Sequence, residues 1–117
     1  MHDKQRLTIT SSAAGVVADA FTKPFQGKLS GVYLELGDLT SGAVDFVITE
    51  AETGAAVLTI TNAAASAWFK PMIPAYTTAG VASTVPILEP LPIDGTFKIV
   101  TTGAGNSHTG YLTFYVD

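Results

Sequence analysis

The side chains best suited to acid–base or nucleophilic chemistry are few: His2, His108, Ser107 beside it, and the carboxylates Asp38, Asp45, Glu50 and Glu52. Nucleophilic catalysis needs a nucleophile, a base and an orienting group that converge. Ser107 and His108 are chain neighbours, and neighbours in extended backbone point apart. The stretch from Gly105 to Gly110 misses the nucleophile-elbow spacing, because its second glycine comes one place late. Gly103-Ala104-Gly105 joins two strand-like segments, whereas a dinucleotide fingerprint opens a helix. The four acids lack the alternating Asp/Asn pattern of a calcium loop. With no cysteine and only two histidines, a zinc set is not available either. The expectation is no catalytic residue, no cofactor and no metal, with the acids forming a solvated edge that discourages stray strand pairing.

The chain that must position these residues has 117 amino acids, which fits one domain, residues 1–117. Its six basic residues are scattered, so no stripe neutralises a run of phosphates and nucleic acid is not an expected partner. The longest uncharged runs carry Thr, Ser, Asn, Gly and Pro throughout, unlike the apolar run of a spanning helix; no signal-peptide core follows the charges at Asp3, Lys4 and Arg6. No membrane segment is expected. Charge is scarce, 14% of residues against about 25% in ordinary soluble domains, and mean hydropathy is +0.35. Residues 53–117 hold only Lys70, Glu89, Asp94, Lys98 and Asp117.

Glycines and prolines punctuate segments rich in Val, Ile, Thr, Tyr and Phe, which points to strands between turns. Strands are expected at Arg6–Thr10, weakly at Gly15–Phe21, at Lys28–Leu36, Val44–Glu50, Ala56–Thr61, Ala67–Phe69, Thr96–Thr102 and Thr109–Val116. In Lys28–Leu36, Val32, Leu34 and Leu36 alternate against Leu29, Tyr33 and Glu35. The loop Gly103–His108 reads as a hairpin connection. The fold class is all-β: a single antiparallel β-sandwich, jelly-roll-like, of about seven to eight strands. Residues 1–6 read as a flexible N-terminal arm, where Lys4 and Arg6 would cross a neighbouring subunit.

Residues 71–93 hold five of the six prolines and a single charge, Glu89. A long segment without regular structure is usually functional or disordered, and this one is too apolar for disorder. It either folds over the open end of its own sandwich or is buried against another chain. The second reading makes Pro71, Met72, Ile73, Tyr76, Val85, Pro86, Ile87, Leu88 and Pro90 interface candidates. Trp68 and Phe69 join them as anchors, or else plug the core. Tyr33, Tyr76, Tyr111 and Tyr115 offer an alternative as sugar-stacking platforms.

Gly27-Lys28-Leu29, Val44-Asp45-Phe46-Val47-Ile48, Trp68-Phe69-Lys70-Pro71, Gly95-Thr96-Phe97-Lys98-Ile99-Val100, Gly103-Ala104-Gly105-Asn106 and Thr109-Gly110 carry a family resemblance. The sequence resembles the head decoration, or cement, proteins of tailed bacteriophages. The resemblance implies a structural virion protein on the outer surface of a capsid, bound to the major capsid protein as a homo-oligomer, a trimer first among the possibilities, with no enzyme activity and no cofactor. The competing expectation is a carbohydrate- or receptor-binding domain of a phage tail or spike.

Overall fold

In the computed structural model, which describes residues 3–74, 80 and 88–117, the chain is all-β. Its strands are β1 (Asp3–Thr10), β2 (Ala20–Phe21), β3 (Phe25–Glu35), β4 (Val44–Glu50), β5 (Ala56–Ala63), β6 (Ala67–Phe69), β7 (Met72–Pro74), β8 (Leu88–Pro90), β9 (Pro92–Gly95), β10 (Phe97–Thr102) and β11 (Thr109–Val116). One sheet runs β1-β11-β3-β6, with β9 also paired to β3; the other runs β2-β10-β4-β5; β7 and β8 form a separate ribbon. Every pairing is antiparallel. Pairing β1 with β11, β2 with β10, β3 with β6 and β4 with β5 is the nested-hairpin plan of a jelly roll. The expected β-sandwich is therefore present, with β7, β8 and β9 inserted between its sixth strand and the next.

The core fills the space between the sheets. Ile9, Leu29, Val32, Leu34, Leu112, Phe114 and Val116 come from one sheet, and Val44, Phe46, Ile48, Ile60, Phe97 and Ile99 from the other, all buried. Phe97 stacks on Phe114 across the layers with centroids 5.3 Å apart and planes at 20°. Such aromatic pairs add to the area they bury.

Four features differ from expectation. Leu29 shares the core with Val32 although the two are an odd number of residues apart. Gly31 pairs with Tyr115 and Leu29 with Val116, so Ser30 is an extra residue, a β-bulge that resets the alternation. Residues Asp3 to Arg6, expected in an arm, are laddered to β11 from Asp3 opposite Val116 onward. The segment Gly15–Phe21 yields only the short β2, since a turn at Gly15, where φ is +82°, interrupts it.

The loop Gly103–His108 is not a hairpin: β10 and β11 lie in different sheets, and it crosses between them. It is fixed there because the Ala104 carbonyl accepts from Thr40 N at 3.1 Å, and the His108 N–H donates to Ser11 Oγ at 2.9 Å. Ala104 is fully buried, so the loop also plugs the end of the core.

Candidate functional site

Alternation sends every second residue of the β1-β11-β3-β6 sheet outward. On that outer face the register sets Lys4 beside Tyr115, Arg6 beside Thr113, Thr8 beside Tyr111, Tyr111 beside Glu35, and Tyr33 between Thr113 and Trp68. The Trp68 ring centroid lies 4.7 Å from that of Tyr33 and 5.2 Å from that of Tyr115, with planes tilted by 47° and 42°. The indole reaches both because it lies across Gly31: a Cβ there would stand 3.6 Å from Trp68 Cζ3. Covering a strand glycine with an aromatic ring is a known stabilising device.

Further along the same face, Arg6 sits over Tyr111, its guanidinium carbon 3.7 Å from the ring centroid, and donates from Nη2 to Glu35 Oε2 at 2.9 Å. Cation–π contacts at exposed sites contribute roughly 0.5–1 kcal/mol.

The residues expected to plug or anchor at Trp68-Phe69 divide between the two sides of one strand. Trp68 points outward and is 63% exposed, which corrects the core-plug reading for that residue, while half-buried Phe69 packs against the core. Pro71 is buried and Pro90 half-buried at the root of the inserted ribbon. Met72, Ile73 and Leu88 remain exposed, Leu88 at 56%. Antiparallel register places Met72 opposite Pro90 on the ribbon. Tyr76, Val85, Pro86 and Ile87 lie outside the described residues. Lys4 is exposed on β1, and Arg6, expected to cross a neighbouring subunit, is engaged within its own sheet.

Parts of this proline-rich segment join ladders, and where the prolines stand explains why. Pro74 ends β7, Pro90 ends β8 and Pro92 opens β9, positions where the missing N–H costs no interior bond. The β9 end is held to the body by Ile93, which is buried, and by the Leu29 N–H donating to the Leu91 carbonyl at 2.9 Å.

Three of the four acids expected to form a solvated edge accept hydrogen bonds from the backbone. Asp38 accepts from Thr109 N, and Asp45 accepts from Asn62 N at 2.7 Å where φ is +51°. Glu50 accepts from Thr53 N at 2.6 Å and from Thr53 Oγ1 at 2.8 Å, and these bonds hold its carboxyl below the usual glutamate range. Among the described residues no three His, Asp or Glu side chains are grouped to hold a metal ion. No helix among them is long and apolar enough to cross a membrane.

A side cleft of about 380 Å³ opens between the β4–β5 turn and β9, lined by apolar Val57, Leu91, Ile93 and Phe97 and by the carboxylates Glu50 and Asp94.

The aromatic row was only half legible in the sequence. Alternation put Tyr111 and Tyr115 on the face opposite Leu112 and Phe114. That Tyr33 joins them depends on β3 pairing with β11, and that Trp68 does depends on β6 pairing with β3, neither of which periodicity encodes.

No protein-family model and no curated protein matches the chain. Among solved structures it is similar to a protein of Bacillus endospore appendages, described as a novel family of disulfide-linked pili, at 18% identity over 99% of this chain and 86% of that one, with a TM-score of 0.45. It is also similar to FLHE, at 11% identity over 98% and 93% of the two chains and a TM-score of 0.33. A third similarity is to the virus-like particle of the extra small virus of the giant freshwater prawn Macrobrachium rosenbergii, at 13% identity over 97% and 78% and a TM-score of 0.32.

Proposed function

We propose that this protein is a structural virion component that docks on the outside of a tailed-phage head, against the major capsid protein, as a small symmetric oligomer, and works without catalytic chemistry. One observation carries the reading: the jelly roll buries a core of its own between its two sheets, yet a ribbon inserted between β6 and β10 leaves Met72, Ile73 and Leu88 exposed. Large apolar side chains left in water by a chain with an adequate core are suited to burial elsewhere. Burying each contributes roughly 1.5–3 kcal/mol before ordering costs. A lattice repeats the receiving surface, and an oligomer engages several copies at once, so modest single contacts become tight. The quoted sequence resemblance supports the same role.

The test has two arms. Light scattering at micromolar concentration should give the mass of an oligomer. Capsids assembled without the protein should bind it on re-addition and co-sediment with it, and the triple change Met72→Ser, Ile73→Ser, Leu88→Ser should abolish binding while leaving the melting curve in place. A monomer that fails to co-sediment overturns the proposal.

A further inference from the structure

We infer that the outer face of the β1-β11-β3-β6 sheet is a carbohydrate-binding platform centred on Trp68, a property separate from docking through the β7–β8 ribbon. Three rings lie in a row on three adjacent strands: Trp68 on β6, Tyr33 on β3 and Tyr115 on β11. Trp68 is the middle ring of the row, its centroid 4.7 Å from that of Tyr33 and 5.2 Å from that of Tyr115. The Trp68 ring rests across Gly31 and is 63% exposed. Tyr111, four residues further along β11, is instead capped by Arg6, which places the Arg6–Glu35 pair beside the open rings.

What surrounds the rings selects the ligand class. The outward positions on β1, β3, β11 and β6 are Lys4, Arg6, Thr8, Thr10, Gly31, Tyr33, Glu35, Thr109, Tyr111, Thr113, Tyr115 and Trp68. None is aliphatic. A face built to bury against lipid would carry aliphatic side chains. This face instead combines flat rings with hydroxyl, guanidinium, ammonium and carboxylate groups. A pyranose has the matching character, an apolar C–H face bordered by hydroxyls that donate and accept. The charges present are of both signs, which fits a neutral glycan better than a polyanion.

The platform is also formed in advance. Thr113 points outward but is buried, with Tyr33, Tyr111 and Tyr115 as its neighbours on that face. Rings that already pack on one another lose little freedom when a ligand arrives.

Trp68 is the only tryptophan, so its emission reports this face alone. The full chain is titrated with maltohexaose, cellohexaose and chitohexaose, and is applied to an array of several hundred glycans. The expected result is a saturable emission change with at least one glycan, weakened about tenfold or more by Tyr33→Ala or Tyr115→Ala. Calorimetry on Trp68→Ala should show the same loss, with a melting curve close to that of the parent. The ribbon variant Met72→Ser, Ile73→Ser, Leu88→Ser should bind glycan normally, which separates this inference from the docking proposal. No saturable response to any glycan overturns the inference. So does an emission shift driven by protein concentration alone, which would assign the face to a second copy of the chain.

Discussion

Leu39 closes over Gly110. A Cβ added to this glycine would stand 2.8 Å from Leu39 Cγ and 2.9 Å from the Glu35 carbonyl oxygen, distances that real side chains do not tolerate. Leu39 is buried in the β3–β4 connection, and its N–H donates to the Leu36 carbonyl at 3.1 Å, so neither partner can retreat freely. Gly110→Ala should therefore destabilise by about 1–3 kcal/mol through overpacking. Leu39→Ala alone should cost about 2–5 kcal/mol as a cavity. The double variant should lose less than the sum of the two, because the deleted isobutyl group makes room for the new methyl. Urea denaturation of the four proteins checks this, and strict additivity would refute the contact.

The Glu50–Thr53 turn gives the fold an acid-side weakness. The backbone N–H and then the hydroxyl of Thr53 hold the Glu50 carboxyl below its ordinary value of about 4.5. Asp3 is likewise held low, first by its hydrogen bond from Lys23 Nζ at 2.7 Å. A carboxyl with a depressed folded pKa lends stability that is fully present above the unfolded value and fades as pH falls through the folded one. Asp3 is exposed and Glu50 only half-buried at the surface, so the effect is small. The urea midpoint should decline as pH drops below the ordinary carboxylate range, and Glu50→Gln should flatten that decline while lowering the midpoint at pH 7. An unchanged pH profile in Glu50→Gln would count against the capping role.

Thr101 carries a polar atom where the core offers it nothing. The residue is buried on β10, and its Oγ1 has no hydrogen-bond partner among the described residues. An unpaired buried hydroxyl costs roughly 1–3 kcal/mol, whereas an apolar group of the same shape costs nothing of the kind. Thr101→Val should raise stability by about 1 kcal/mol, read as a higher midpoint in urea at constant slope. A lower midpoint would mean that the hydroxyl is satisfied.

Alternation in the sequence reports which face a residue takes, and where the strands are regular it is a faithful guide. Phe97, Ile99 and Thr101 on β10 and Leu112, Phe114 and Val116 on β11 all turn inward as their spacing requires. It fails at Leu29 because one inserted residue, Ser30, shifts the phase without leaving a compositional mark. It also carries no information about partners. The Gly103–His108 loop has the glycines of a hairpin, and both Gly103 and Gly105 take positive φ, yet it changes sheets. The β7–β8 ribbon is not legible in the sequence because prolines usually signal the absence of a ladder, and only their placement at strand ends makes one possible here.

Adjacent residues with opposite duties make the sharpest test of the β6 geometry. Phe69 turns inward against the core beside Val32, its partner in the ladder, and Trp68 turns outward over Gly31 beside Tyr33. Truncating Phe69 to Ala removes a half-buried ring and should cost about 2–3 kcal/mol, less than the cost for a fully buried phenylalanine. Truncating Trp68 removes the larger side chain, but mostly from water. Its loss should be limited to the two ring contacts and the cover over Gly31, about 1–2 kcal/mol in all. The bulkier residue should thus be the cheaper to remove. Chemical denaturation of the two variants decides the matter, and a Trp68→Ala protein less stable than Phe69→Ala would mean that the indole, not the phenyl ring, faces the core.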